Sequence, residues 1–165
     1  MSRRHLVARL LSTVTALLGS ACHVGYGFRG PGYDADDGTV RADVPETVVV
    51  AITAGEIESG GGSRFFAALD EVMNELTARD GLVGYAVRKQ TFGGRIWTMS
   101  AWLDERSLDA FLASPAHRRA AREGGVPPRS LRYVRTRLPA SALPLDWDAA
   151  IALLPRADPG GQVRP

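Results

Sequence analysis

The sequence predicts an α+β fold, one sheet with helices packed on it, from three observations. Four strand-like runs are separated by stretches of helical spacing, in the order β-α-β-β-α-β. The two middle strands are joined by Phe92-Gly93-Gly94-Arg95, where glycine supplies the positive φ angles a hairpin turn requires. The third run, Ile96 to Leu103, carries no charge on either side: Trp97, Met99, Ala101 and Leu103 point one way, and Ile96, Thr98, Ser100 and Trp102 the other. A strand with one face in water would alternate with charges, so this one is expected to be covered on both faces.

The first strand is the β-branched run of Glu46 to Thr53, with Thr47, Val48, Val49, Val50 and Ile52. A glycine-rich turn over Glu58 to Gly62 follows. It is not a phosphate loop, because no G-K-[ST] comes after it. From Ser63 to Arg79, Phe65, Leu69, Val72, Met73 and Leu76 recur at helical spacing, and Gly81 is placed to end that helix. Leu82 to Thr91 is the second strand. After the third strand, Asp104 is a good N-cap because its carboxylate can accept from free N–H groups of the next turn. Leu108, Phe111 and Leu112 form one stripe of the helix that follows. Ser114-Pro115 then restarts the helix with a capping hydroxyl and a proline at the first position, and His117 lies in that new first turn. Gly124-Gly125 ends it, Val126-Pro127-Pro128 is an extended connector, and Leu131 to Leu138 is the fourth strand. A short helix from Asp146 is built on Trp147, Ile151 and Leu154 and stopped by Pro155. The order is that of a ferredoxin-like split βαβ unit with a C-terminal helix added.

The folded domain is expected over residues 45–154, followed by a disordered tail over 155–165. Before it, residues 22–44 hold five glycines and four aspartates without a period and read as a flexible linker. Residues 1–21 read as a signal segment: Arg3, Arg4 and Arg9 precede the short apolar stretch Leu10 to Leu18, and Gly19, Ser20 and Ala21 offer small residues for cleavage. That stretch is too short to span a bilayer, which takes about 20 residues. Cys22, the only cysteine, follows directly and resembles the lipidated cysteine of a bacterial lipobox, although Gly19 stands where a branched apolar residue is preferred. The expectation is an exported lipoprotein held at a membrane through Cys22. Secretion with cleavage before Cys22, or a cytoplasmic protein with an upstream start codon, are the alternatives.

Hydrophobic residues make up 45% of the chain and charged residues 23%, which suffices for a packed core. Nineteen of the 20 basic side chains are arginines, Lys89 being the exception. Removing Arg3, Arg4 and Arg9 leaves 17 basic against 18 acidic residues, so the net charge of +2 becomes −1. That balance does not suit a nucleic-acid partner, which takes a clustered basic face. A single cysteine permits no internal disulfide, and His5, His23 and His117 are too few and too scattered for a metal site.

The order W-T-x-S-x-W, an acidic helix start, and A-F-L-x-S-P-x-H between Trp97 and His117 resemble the antibiotic biosynthesis monooxygenase superfamily. The resemblance covers roughly Thr47 to Leu138. It implies a dimeric α+β barrel, with a second copy's sheet as cover for the face opposite the helices. It also implies a pocket between sheet and helices for a flat hydrophobic molecule. Candidates to line that pocket are Tyr85, Arg88, Trp97, Ser100, Trp102 and Phe111, with Thr98 beside them. His117 is the candidate catalytic base, since imidazole titrates near neutral pH and a helix N-terminus would keep it neutral. Haem-degrading relatives use a first-strand Asn, a helix Trp and a His ten positions further on. Here the first strand is VVVAITA, the helix aromatic is Phe111, and Ala121 stands ten residues later, so haem chemistry is disfavoured. What the resemblance implies instead is a monooxygenase without cofactor, acting on a small aromatic quinol or anthrone. The alternative is a non-catalytic dimeric module that holds an apolar ligand.

Overall fold

The computed structural model describes residues 23–156. Strand β1 (His23–Arg29), the two-residue strands β2 (Tyr33–Asp34) and β3 (Thr39–Val40), and β4 (Thr47–Glu56) come first. Helix α1 (Gly62–Thr77), the hairpin β5 (Leu82–Gln90) and β6 (Arg95–Trp102), then helices α2 (Glu105–Leu112) and α3 (Pro115–Glu123) follow. Strand β7 (Arg132–Pro139) and the short helix α4 (Trp147–Ala152) complete the chain. The main sheet is antiparallel, in the order β1-β5-β6-β4-β7. Its last four strands have the ferredoxin-like arrangement, so the α+β fold expected from periodicity is the fold observed.

Register sorts the side chains onto two faces. Val49, Ala51 and Thr53 on β4 lie opposite Trp102, Ser100 and Thr98 on β6, and Tyr85 on β5 lies opposite Ser100. This face packs under the helices, where Leu76, Leu82, Tyr85, Trp102, Leu108 and Phe111 form one buried cluster. Val50 and Ile52 lie opposite Ala101 and Met99 on the other face, and Arg88 lies opposite Trp97. Both faces of β6 are therefore buried, as its uncharged sequence requires.

The second face is covered within the chain itself. Val48, Val50, Ile52, Trp97, Met99 and Ala101 are buried under Ala140, Leu143, Ala150 and Leu154, with Trp147 and Ile151 packed against them. Phe28, Val40 and Val44 close the same cluster from the N-terminal side. Within one chain, the segments on either side of the ferredoxin-like unit thus supply this second layer. Each Val, Ile or Leu buried in this way contributes roughly 1.5–3 kcal/mol.

Residues 22–44 depart from the flexible linker. From His23 onward the segment is ordered: β1 pairs with β5 from His23↔Gln90 to Arg29↔Tyr85, and β2 pairs with β3. Three of its glycines, Gly25, Gly30 and Gly32, serve close approach. A Cβ on Gly25 would lie 2.0 Å from the Val87 carbonyl oxygen, and one on Gly30 would lie 2.4 Å from the Gly84 Cα. Composition alone cannot separate a glycine that loosens a chain from one that lets two backbones touch. Among the described residues the folded unit therefore includes 23–44, and Cys22, residues 1–21 and most of the expected tail lie outside the described residues.

Leu154 tests the C-terminal layer, since it is 6% exposed and lies in the cluster beneath the sheet. Leu154→Ala is expected to cost about 2–4 kcal/mol of unfolding free energy, read from urea denaturation. A loss within about 0.5 kcal/mol would show that the segment does not share the core.

Candidate functional site

The helix-facing side of the sheet is not filled completely. A cavity of about 570 Å³ lies between it and the three helices, within the range of small-molecule sites. Its floor is Ala51 and Thr53 on β4, Tyr85 and Val87 on β5, and Ile96, Thr98 and Ser100 on β6. Helix α1 supplies Phe65, Leu69, Val72 and Met73, α2 supplies Leu108, Phe111 and Leu112, and α3 supplies His117, Ala120 and Ala121. Small side chains at Ala51, Ala68, Ala120 and Ala121 leave the space that larger ones would occupy. Tyr133 and Arg135 on the edge strand β7 complete the wall, and Tyr133 is 57% exposed.

His117 is held by two capping arrangements at the start of α3. The Ser114 hydroxyl accepts from the His117 backbone N–H at 3.3 Å, with Pro115 in the first turn. The Glu75 carboxylate reaches across from α1 and accepts from the Ala116 N–H at 3.1 Å, while also pairing with Arg79. The imidazole meets the Phe111 ring edge-on at 5.0 Å between centroids. Burial pushes its pKa below the ordinary 6.5, and a hydrogen bond to the Leu112 backbone works weakly the other way. The neutral imidazole expected from the helix end is thus favoured chiefly by desolvation.

Strand β6 contributes a second polar group. Ser100 Oγ accepts a hydrogen bond from Trp102 Nε1 at 2.9 Å. The Trp102 indole is fully buried and stacked on Phe111, with centroids 5.2 Å apart and planes at 29°. At the rim, Arg135 bridges Glu105 at 3.1 Å and Asp109 at 2.6 Å, tying β7 to α2.

Of the residues expected at the site, His117, Tyr85, Ser100 and Phe111 come together around the cavity, together with Thr98. Trp102 is on the correct face but lies behind Phe111 in the core, so it offers no stacking surface to a ligand. Trp97 and Arg88 are on the opposite face. There the Arg88 guanidinium lies 5.6 Å from the Trp97 ring centre and contacts His23 Nδ1 at 2.8 Å. The pleat forces this separation, because residues paired across two strands share a face and their neighbours take the other. Phe65, Leu69, Met73, Tyr133 and Arg135 are cavity residues that the sequence did not mark as part of the site. The α1 residues form an ordinary core stripe, and nothing in the local pattern of β7 distinguishes a cavity wall from a solvated edge.

The site is thus an apolar cavity between a ferredoxin-like sheet and its helices, in an α+β domain. Residues 48–123 match the family model described as antibiotic biosynthesis monooxygenase. Protein SO0527 from Shewanella oneidensis shares the fold at a TM-score of 0.50 and 14% identity, over 58% of this chain and 95% of that one. Rv0793 from Mycobacterium tuberculosis aligns at a TM-score of 0.47 and 24% identity, over 60% and 96%. PA3566 from Pseudomonas aeruginosa aligns at 0.48 and 14%, over 55% and 92%. No curated protein matches the chain at a significant level.

The lowered pKa of His117 makes a signed prediction. Below pH 6.5 the unfolded chain takes up a proton that the folded chain resists. Stability due to neutral His117 is therefore present above that pH and lost as pH falls toward the folded-state pKa. The thermal midpoint of the wild type should fall more steeply on acidification from about pH 7 than that of His117→Phe. Parallel curves for the two proteins would show that His117 does not resist protonation.

Proposed function

We propose that the domain is a cofactor-independent monooxygenase that oxidises a small aromatic substrate of the anthrone or quinol type. The observation that carries this reading is a neutral, desolvated imidazole facing an apolar cavity. His117 takes a proton from the acidic C–H or O–H of the bound substrate, leaving a delocalised anion. That anion transfers electrons to O₂ and forms a C–O bond at the ring carbon. Loss of water from the resulting peroxide turns an anthrone CH₂ into a carbonyl. One oxygen atom stays in the product, and the other leaves as water with the two hydrogens. The apolar walls favour the uncharged substrate and product and keep water from the anion.

O₂ uptake with a panel of anthrones and hydroquinones tests the reading. The wild type is expected to consume one O₂ per anthrone, and His117→Ala to be slower by on the order of a hundredfold or more. Equal rates in the two proteins would remove His117 from the mechanism. Absence of uptake with every substrate, alongside ligand binding, would favour a non-catalytic binding module.

The same reading places the domain outside the cytoplasm, anchored through a lipid on Cys22, and as a homodimer. Support for the anchor is the basic and apolar segment that leads to Cys22. Since β1 starts at His23, that anchor would hold the edge of the sheet directly, with no tether between. The subunits would meet outside the sheet face already covered by the chain's own ends. Expressed in a bacterial host, the wild type should fractionate with membranes, and Cys22→Ser should release a soluble protein of two-chain mass. Wild type recovered in the cytoplasm with Met1 intact would remove the anchor from the reading, and a one-chain mass would remove the homodimer.

A further inference from the structure

We infer that Ser100 is a directed hydrogen-bond donor to an oxygen of the bound molecule, and that Trp102 is the positioning residue that directs it. This deepens the proposed function and rests on the cavity being a ligand site. An indole N–H can only donate, whereas a hydroxyl has one hydrogen to give and two lone pairs to accept with. The 2.9 Å bond from Trp102 Nε1 therefore occupies an acceptor site of Ser100 Oγ and leaves its hydrogen free to donate. Among the described residues no group accepts from that hydroxyl, and Ser100 lines the cavity. The indole cannot swing away to release it, because Trp102 is fully buried and stacked on Phe111.

The cavity accordingly offers two groups of fixed and opposite sense. The sheet presents a donor at Ser100, and the helical layer presents a neutral imidazole at His117 that can accept a proton. A plain aromatic hydrocarbon uses neither. The arrangement fits a flat molecule with a carbonyl oxygen and a removable proton, and as that proton leaves, charge accumulating on the oxygen strengthens the Ser100 bond. For the anthrone type proposed above, this assigns the carbonyl oxygen to Ser100 and the removable proton to His117.

Binding of xanthone and xanthene, tricycles of like outline that differ by one carbonyl, tests this by calorimetry without O₂, where neither can be oxidised. The wild type is expected to bind xanthone more tightly. Ser100→Ala should weaken xanthone about five- to tenfold, the effect of one hydrogen bond, and leave xanthene within about twofold. Ser100→Thr, which keeps the hydroxyl, should retain the preference. Trp102→Phe, which keeps a stacked ring and deletes the N–H, should reduce the preference about two- to threefold by freeing the hydroxyl to turn. Should Ser100→Ala not fold with its indole N–H left unpaired, the Ser100→Ala/Trp102→Phe double variant removes both partners and carries the same comparison. Equal weakening of both tricycles, or no change in either, would overturn the donor role while leaving the cavity a ligand site. A wild type that binds neither tricycle would overturn the ligand-site reading and this inference together.

Discussion

The structure depends on the burial of both faces of one strand. Met99 and Trp102 on β6 point in opposite directions and are each almost wholly enclosed, at 2% and 0% exposure. A sheet with an uncharged central strand has no face to give to water, so the chain must provide a layer on each side. Helices α1, α2 and α3 supply one. The other is improvised from Phe28, Val40 and Val44 at one end and Leu143, Ala150 and Leu154 at the other. The result is a three-layer unit in which segments distant in sequence meet across the sheet.

The two layers pack differently, and that difference creates the site. Beneath the sheet the flanking segments bury the apolar face. Above it, the alanines on β4, α1 and α3 hold helices and strands apart without filling the gap. The cavity is consequently apolar, and two of the polar residues that line it are held by partners behind them. Ser100 is held by an indole N–H, and His117 by a helix start clamped from α1 through Glu75. Groups held in this way need little reorganisation when charge moves on a bound molecule, which is how an apolar cavity can favour an anion.

Electrostatic ties keep the layers in register at the surface. Arg135 and Arg137 on β7 converge on Glu105 at the start of α2, and Arg119 on α3 meets Glu71 on α1 at 3.2 Å. These pairs are substantially exposed, so each contributes little to stability. Their consequence is geometric: the edge strand and the helices that wall the cavity are linked at its rim, where Tyr133 is open to solvent.

The sequence by itself determined whatever is encoded locally. The periods of β4 to β7, the caps at Asp104, Ser114 and Asp146, and the alternation that puts Trp97 and Trp102 on opposite faces are all consequences of neighbouring residues. The placement of Tyr85, Ser100, Phe111 and His117 around one cavity followed from that alternation together with the likeness to known domains. Tertiary structure alone decided three matters. It turned Gly25 and Gly30 from apparent flexibility into close contacts with β5, because a missing side chain reads the same whether the backbone is free or touched. It put Trp102 behind Phe111 and Arg88 beside His23, since a strand's period specifies a face but not what lies above it. And it chose the chain's own ends as the second layer: hydrophobicity demands that a face be covered but, being non-directional, does not name the cover.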